Sequence, residues 1–484
     1  MKTLLILPNQ LFKKHNFEFD EIILYEHPKF FTEYNYHKSK LVFHRATMKK
    51  YYDDMKKNYK IKYVEYNDKL TLKNELIIYD PTDFDILKEI KSMCNKSKIE
   101  LTILDTKLFI LNLEEIDEYI NDTNKPYFNA TFYKWVRNKK NILVNNGEPY
   151  GGKWSYDILN RLPFKQSYTE KNIKFINNSY IKEASKYVER NFKDNIGEIN
   201  IFLPIDHSGA QLWFNKFLKE RLKNFGPYED AISSEVILGY HSGISALLNI
   251  GLLDVNDVID KALHLKGKIK TESLEAFIRQ IISWREYVRM LYLKEHTKFN
   301  KENFLKHNNK LKKVWYTGDT GIKPIDNVIK KALNISYAHH IERLMVIGNF
   351  MLLMQIKPTD VYKWFIEVIS IDAYEWVMEP NVYGMSQHSV GQLMMNRPYY
   401  SSSNYILKMS NYRKSNNFDK IRLNNVDYDW YEIWDALYYN FINRHKIYLK
   451  KIYATANSVS QFNKKSDTEK TNLLKLAKLY MEKY

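Results

Sequence analysis

The feature that most constrains this chain's fold is a change in the period of its apolar residues partway along the sequence. Over the first 110 residues or so, short apolar runs alternate with helical stretches. Residues 4–7, 21–25, 61–66, 75–79 and 100–104 read as strands rich in Ile, Leu, Val and Tyr, with helices at 45–58 and 83–96 between them. Strands alternating with helices predict a parallel, Rossmann-like α/β sheet. No G-x-G-x-x-G follows the first strand, so the dinucleotide fingerprint is absent. From about Ile199 the period is helical: residues 211–225, 272–295, 336–354 and 359–371 carry apolar side chains three and four apart. Gly226-Pro227 ends one helix and Lys357-Pro358 interrupts another. Between the two regimes the stretches 147–152 and 162–164 are loop chemistry. The expected organisation is an α/β domain at 1–120, a linker at 121–195 and a large all-α domain at 196–484, closed by a lysine-rich helix from 464. Ligand sites are expected between domains or among bundle helices.

Composition excludes several classes. Cys94 is the only cysteine, so an internal disulfide, a zinc-thiolate site and a cysteine-ligated cluster are all excluded, and no metal site is expected. No run reaches the roughly 18 to 20 apolar residues of a membrane span, so no membrane partner is expected. The apolar start, Leu4-Leu5-Ile6-Leu7, is short and lacks a small-residue cleavage site, which reads as a first strand of an intracellular protein. The formal net charge of +17 favours a polyanion such as nucleic acid, although AT-rich coding bias also enriches lysine. The aromatic load of 38 tyrosines, 25 phenylalanines and nine tryptophans is unusual, although most of these rings must be core. Aromatic rings stack on bases, hold flat cofactors and relay electrons.

The densest polar-aromatic cluster runs from Asn334 to Ser410. It holds His339-His340, Trp364-Phe365, the stretch 372–386 and Arg397-Pro398-Tyr399-Tyr400 followed by Tyr405. Adjacent histidines on a helix point about 100° apart, so one of the pair faces a given pocket. In a dry pocket that one can donate a proton near neutral pH; a buried structural histidine is the plainer reading of an isolated pair.

This cluster resembles the signature of the photolyase–cryptochrome superfamily, specifically its bacterial iron–sulfur (6-4) photolyase branch, the photolyase-related proteins. Residues 225–231 with 241–253 resemble that family's flavin-phosphate loop, Trp284-Arg285-Glu286 its W-R-E helix, and 151–161 its interdomain linker. The resemblance spans nearly the whole chain in the family's order. It implies FAD in the helical domain and ultraviolet-damaged DNA docked over the pocket, with light-driven electron transfer repairing a flipped pyrimidine (6-4) lesion. His241, Ser242, Ser245 and Asn249 then fall on the phosphate loop, and Arg279, Gln280 and Arg285 line the same pocket. Trp284, Tyr399 and Tyr405 match lesion-side positions, with Gln280 beside them, and His340 matches the proton donor, with His339 adjacent. Trp364 stands next to the flavin as electron relay, Phe365 where relatives often carry tyrosine, and Tyr316 where they often carry tryptophan. Met378, Glu379 or Asn381 faces the flavin N5. A monomer is implied.

The sequence departs from that branch at its cluster. Pro324 stands where the first cysteine should follow the stretch 316–323, and the others would fall near Arg413, Asn416 and Asp429, so no cluster is expected. Tyr428, Trp430, Tyr431, Trp434, Tyr438 and Tyr439 are apolar enough to fill that space. In the N-terminal domain, a lumazine antenna would meet Glu26, Glu33 and the segment around His37. The competing readings are a cryptochrome-like light sensor, a cyclobutane-dimer photolyase, and a nucleic-acid-binding protein with a decayed flavin site.

Overall fold

Five strands build the sheet that the alternation predicts. In the computed structural model, which describes residues 1–72, 75–125, 127–171, 173–414 and 420–484, they are β1 (Lys2–Ile6), β2 (Glu21–Tyr25), β3 (Ile61–Val64), β4 (Glu75–Tyr79) and β5 (Leu101–Leu104). The order is β3-β2-β1-β4-β5, and every pair is parallel. The three central strands are almost wholly buried, as a parallel sheet covered on both faces requires, while β3 and β5 are partly open edges. The crossover helix Phe84–Ser97 starts at Asp83, whose carboxylate accepts the N–H groups of Asp85 and Ile86. The helix Lys38–Met55 starts seven residues before the predicted 45. His37 caps it, Nδ1 accepting the Ser39 N–H at 3.0 Å, and the polar Lys38-Ser39-Lys40 start hides the boundary from an apolar-period reading.

The connecting region stitches both halves together. Its helix Asn129–Lys139 lies on the helical half, where Tyr133 donates to Glu275 (2.8 Å) and Ser283 to Asn129 (3.0 Å). Its helix Ser179–Asn191 returns to the α/β half, where Glu183 pairs with Arg45 and Tyr187 donates to Glu26. The halves also meet through Lys29, whose ammonium reaches Asp83 (2.9 Å), Asp85 (3.2 Å) and, from the helical side, Glu375 (2.8 Å).

In the helical half, three helices contain a π-helical turn: Gln280–Arg285, Glu342–Gly348 and Pro380–Ser386. Pro380, which has no N–H to give, opens the third. The predicted helix from 336 begins later. Ser336 closes the helix Lys323–Ile335 in a left-handed conformation (φ 58°), and the chain is non-helical through His339. The helix Trp430–Lys450 is covered by Tyr453–Asn463 and Asp467–Lys483. No helix among the described residues is long and apolar enough to cross a membrane.

Candidate active site

The three π-turns converge on one cavity of about 290 Å³. The first supplies Gln280, Ile281, Trp284 and Arg285, the second Arg343 and Leu344, the third Asn381, Val382, Met385 and Ser386. A π-turn inserts one residue into the helical register and so turns side chains toward a site that a regular helix would miss. The loop before helix Ser245–Asn249 adds His241 and Ser242, and the helix itself adds Ser245 and Asn249. Gly243 turns that loop at φ 65°, and a Cβ there would meet Leu238 at 2.9 Å.

The polar wall is organised around Asp372. Its carboxylate accepts both Arg343 guanidinium nitrogens (2.9 and 3.1 Å) and the Ser245 hydroxyl (2.5 Å), and its carbonyl accepts Asn249 Nδ2 (2.9 Å). Asn249 Oδ1 in turn accepts from Arg285, whose guanidinium lies over Phe109 (4.7 Å) and Trp376 (4.8 Å). Burial, with Arg289 nearby, lowers the Arg285 pKa to about 10. Among buried side-chain atoms, His241 Nε2 and Arg285 Nε have no hydrogen-bond partner. Both residues line the cavity, and these two buried, unpaired nitrogens lie within its wall, among the rings of Phe225, Phe277, Trp284, Phe365 and Trp376. Such a lining suits a ligand with a flat aromatic part and a polar, anionic part.

His340 opens onto the cavity. Its ring is exposed by surface area yet densely enclosed, because the exposed surface is cavity wall. That enclosure, helped by Arg343, lowers its pKa to about 4. His339 is turned away and does not line the cavity. It is buried and stacks on His241 (4.8 Å, 14°) with neither ring nitrogen bonded, and burial and the His241 and Lys331 charges hold it well below the usual histidine pKa.

Of the remaining predicted residues, some stand back from the cavity. Arg279 does not line it: it sits among Glu275 (3.2 Å), Asp157 (3.2 Å) and Glu229 (3.7 Å). Gln280, its neighbour, does line the cavity and donates to Glu229, whose carboxyl burial raises to about 8. Tyr399 and Tyr405 are half-buried outside the lining, in the fields of Arg161 and Asp230. Phe365 is the wall residue, and Trp364 is fully buried behind it (rings 5.2 Å apart, 87°), donating to the Trp315 carbonyl at 2.7 Å. Tyr316 donates to Glu367 at 3.1 Å, also away from the cavity. Glu379 is held by His296 Nδ1 (2.7 Å), whereas Met378 and Asn381 are on the wall. Sequence reasoning missed Arg343, Asp372, Tyr337 and Trp376, although all four sit in stretches it had singled out.

The expected antenna residues do not converge. Glu26 is fully buried and engaged by Arg45, Tyr63, Tyr187 and the Tyr66 N–H. His37 is spent on its helix cap and the Leu333 carbonyl (2.8 Å). Glu33 borders a cleft of about 20 Å³, room for roughly one water. At the cluster positions, Pro324 lies in the first turn of helix Lys323–Ile335, and Arg413 accepts Trp430 Nε1 at its carbonyl (3.2 Å). Asp429 caps helix Trp430–Lys450 and pairs with Lys420 at 2.7 Å, and Asn416 lies outside the described residues. Two groups of possible metal ligands occur among the described residues, His296–Glu375–Glu379 and Asp83–Asp85–Glu375; Lys29 and His296 neutralise much of their charge.

Comparison with known proteins fits this geometry. A family model described as deoxyribodipyrimidine photo-lyase-related protein matches residues 4–203. A (6-4) photolyase of Agrobacterium fabrum is 30% identical over 96% of this chain and 94% of its own length. By structure, a class III photolyase from Agrobacterium tumefaciens superposes with a TM-score of 0.53 at 12% identity, over 84% of this chain and 86% of that one. A cryptochrome of Synechocystis superposes with a TM-score of 0.56 at 13% identity, over 98% and 94%.

Proposed function

The chain belongs to the photolyase-related family, and from that premise we propose that it is a flavin-dependent photolyase acting on (6-4) pyrimidine photoproducts in DNA. The observation that carries this reading is His340, which opens onto the same cavity as Trp284 and the Arg343–Asp372 pair. Reversal of a (6-4) lesion moves a hydroxyl or amino group between two bases and needs a proton donor; cleavage of a cyclobutane dimer needs only an electron. A histidine in a water-poor site is the side chain suited to that transfer.

The cavity residues fit FAD. Ser242, Ser245, Asn249 and Arg285 would hold its polar chain, and Phe365, Met378 and Asn381 would border its ring system. When bound and reduced, FAD supplies a light-excited one-electron donor. The protein's own part is positional and protic. Arg343 and Asp372 fix the polar wall, Trp284 offers a face on which a flipped base stacks, and His340 stands where it would donate the proton: burial and Arg343 hold its pKa to about 4, and a bound anion beside it would raise that value. Tyr399, with Arg397 at 5.3 Å from its ring, stands on the approach, and the positive charge favours the DNA backbone.

The test is light-dependent repair of oligonucleotides carrying a single (6-4) photoproduct or a single cyclobutane dimer. We expect repair of the first, with His340→Ala slowing it by about 100-fold or more. Repair of the dimer alone would make the chain a dimer photolyase. Failure on both by flavin-loaded, reduced protein would leave a light sensor on the same fold.

A further inference from the structure

Beside the cavity the connecting region carries apolar side chains that nothing in the fold covers. Ile158 is 77% exposed, Leu159 49% and Leu162 50%. They stand on a braced backbone. The Tyr156 N–H is held by Glu275 (3.0 Å), Asn160 Nδ2 by Glu229 (2.7 Å) and the Leu162 N–H by the Pro227 carbonyl (3.0 Å), while Asp157 takes Arg161 (3.1 Å) and Arg279 (3.2 Å). The ridge is also next to the cavity, because the Glu229 that fixes Asn160 is the acceptor for Gln280 on the cavity wall.

The chemistry around the ridge suits DNA. The Glu229 carboxylate is buried against Asn160, Gln280 and Arg279, the exposed Asp157 carboxylate is paired with Arg161 and Arg279, and Lys153 and Lys165 stand exposed as further cations around the apolar tips. An apolar ridge flanked by cations matches a base stack flanked by phosphates.

We propose that Ile158, Leu159 and Leu162 form a wedge that enters the DNA stack when a damaged dinucleotide leaves it for the cavity. This rests on the repair function proposed above and adds the element that holds the opened duplex. Extruding bases leaves a gap whose unstacking costs a few kcal/mol per step, and apolar side chains inserted there replace part of the lost contact. A lesion in a single strand has no duplex to hold open, so the wedge contributes only on duplex DNA.

The experiment compares the full-length protein with the double variant Ile158→Ser/Leu159→Ser. The probes are a duplex with one (6-4) photoproduct, the same lesion in a single strand, and an undamaged duplex, each with 2-aminopurine next to the lesion site. Wild type is expected to bind the damaged duplex and raise the 2-aminopurine fluorescence. The variant should bind that duplex about tenfold more weakly, without the rise, and bind the single-stranded lesion as wild type does. Ile447→Ser, 75% exposed on helix Trp430–Lys450, is the control that leaves all three unchanged. Wild-type behaviour of the double variant on the duplex overturns the wedge, as does an equal loss on single strand and duplex. A wild type that does not prefer damaged DNA refutes the repair reading itself, and the wedge with it.

Discussion

Asp372 holds more of the cavity than any other single residue. Two guanidinium hydrogen bonds, the Ser245 hydroxyl and, through its backbone, Asn249 all depend on it, and its side chain is only 8% exposed against 19% for Arg343. Removing one partner of a buried pair leaves the other charge uncompensated. Asp372→Asn is therefore expected to lower stability by about 3 kcal/mol in urea unfolding and to reduce the flavin retained per chain, whereas Arg343→Lys, which keeps the charge and loses the fork, should lose less. Such a pair is hard to see in a sequence because its members lie 29 positions apart and meet only through the fold. The residues legible beforehand, Gln280, Trp284, Arg285, His340 and the 241–249 loop, sit inside contiguous motifs. Neighbours were the weak point. Arg279 and Gln280, and Trp364 and Phe365, each split, one toward the cavity and one away, since successive helical side chains diverge by about 100°; His339 and His340 split where the chain passes from a non-helical stretch into the helix.

At the scale of elements, aromatic packing ties the C-terminal helices together, with Trp430 reaching the carbonyl of Arg413, near which the resemblance would place a cysteine. Trp434 is fully buried, donates to the Ser401 carbonyl (3.0 Å), and lies against Phe350 (4.8 Å) and Trp430 (6.0 Å). Tyr480 reaches the Thr320 carbonyl (2.8 Å), tying the last helix to the segment before Lys323–Ile335. Trp434→Ala is expected to cost about 3–5 kcal/mol, read as a lowered denaturant midpoint. Elemental analysis of the wild-type protein should find iron far below one per chain; stoichiometric iron would show a cluster held by other ligands. The sheet was legible strand by strand, because buried parallel strands are short runs of Ile, Leu, Val and Tyr bounded by polar residues. The π-turns were not: the inserted residue shifts the register within segments that are buried on most sides, so no polar face marks the shift and it appears only in the hydrogen bonding. The start of the His340 helix was also hidden, because Ser336 takes a left-handed conformation that its type does not advertise.

For the whole molecule, the junction of the two halves is a buried electrostatic seam with a definite response to pH. Lys29 sits among Asp83, Asp85, Glu375 and Glu33, and Glu379 lies nearby on His296. Burial raises Glu33 and Glu379 to about 7, and Glu229 on the cavity rim to about 8. A carboxyl whose folded pKa exceeds its unfolded one contributes stability at low pH, and that contribution is lost as pH rises through the folded value. The His296 imidazole, raised chiefly by its hydrogen bond to Glu379, acts in the same direction. The many histidines held below their usual pKa, such as His27, His37 and His388 at about 4, oppose this only below about pH 6.5, where the unfolded chain takes up protons that the folded one refuses. Above pH 6.5 those histidines no longer oppose the carboxyls, and the counterweight is Lys40, buried in the same cleft as Glu33 with its pKa lowered by burial to about 7: the folded chain gives up that proton before the unfolded one does, which adds stability as pH rises above 7. Because Lys40 offsets only part of what the three carboxyls lose, the melting temperature should fall by roughly 1–3 °C between pH 6.5 and 8.5. Glu379→Gln, which still accepts from His296 and cannot ionise, should flatten that fall; an equally steep decline in this variant would place the pH response outside the seam.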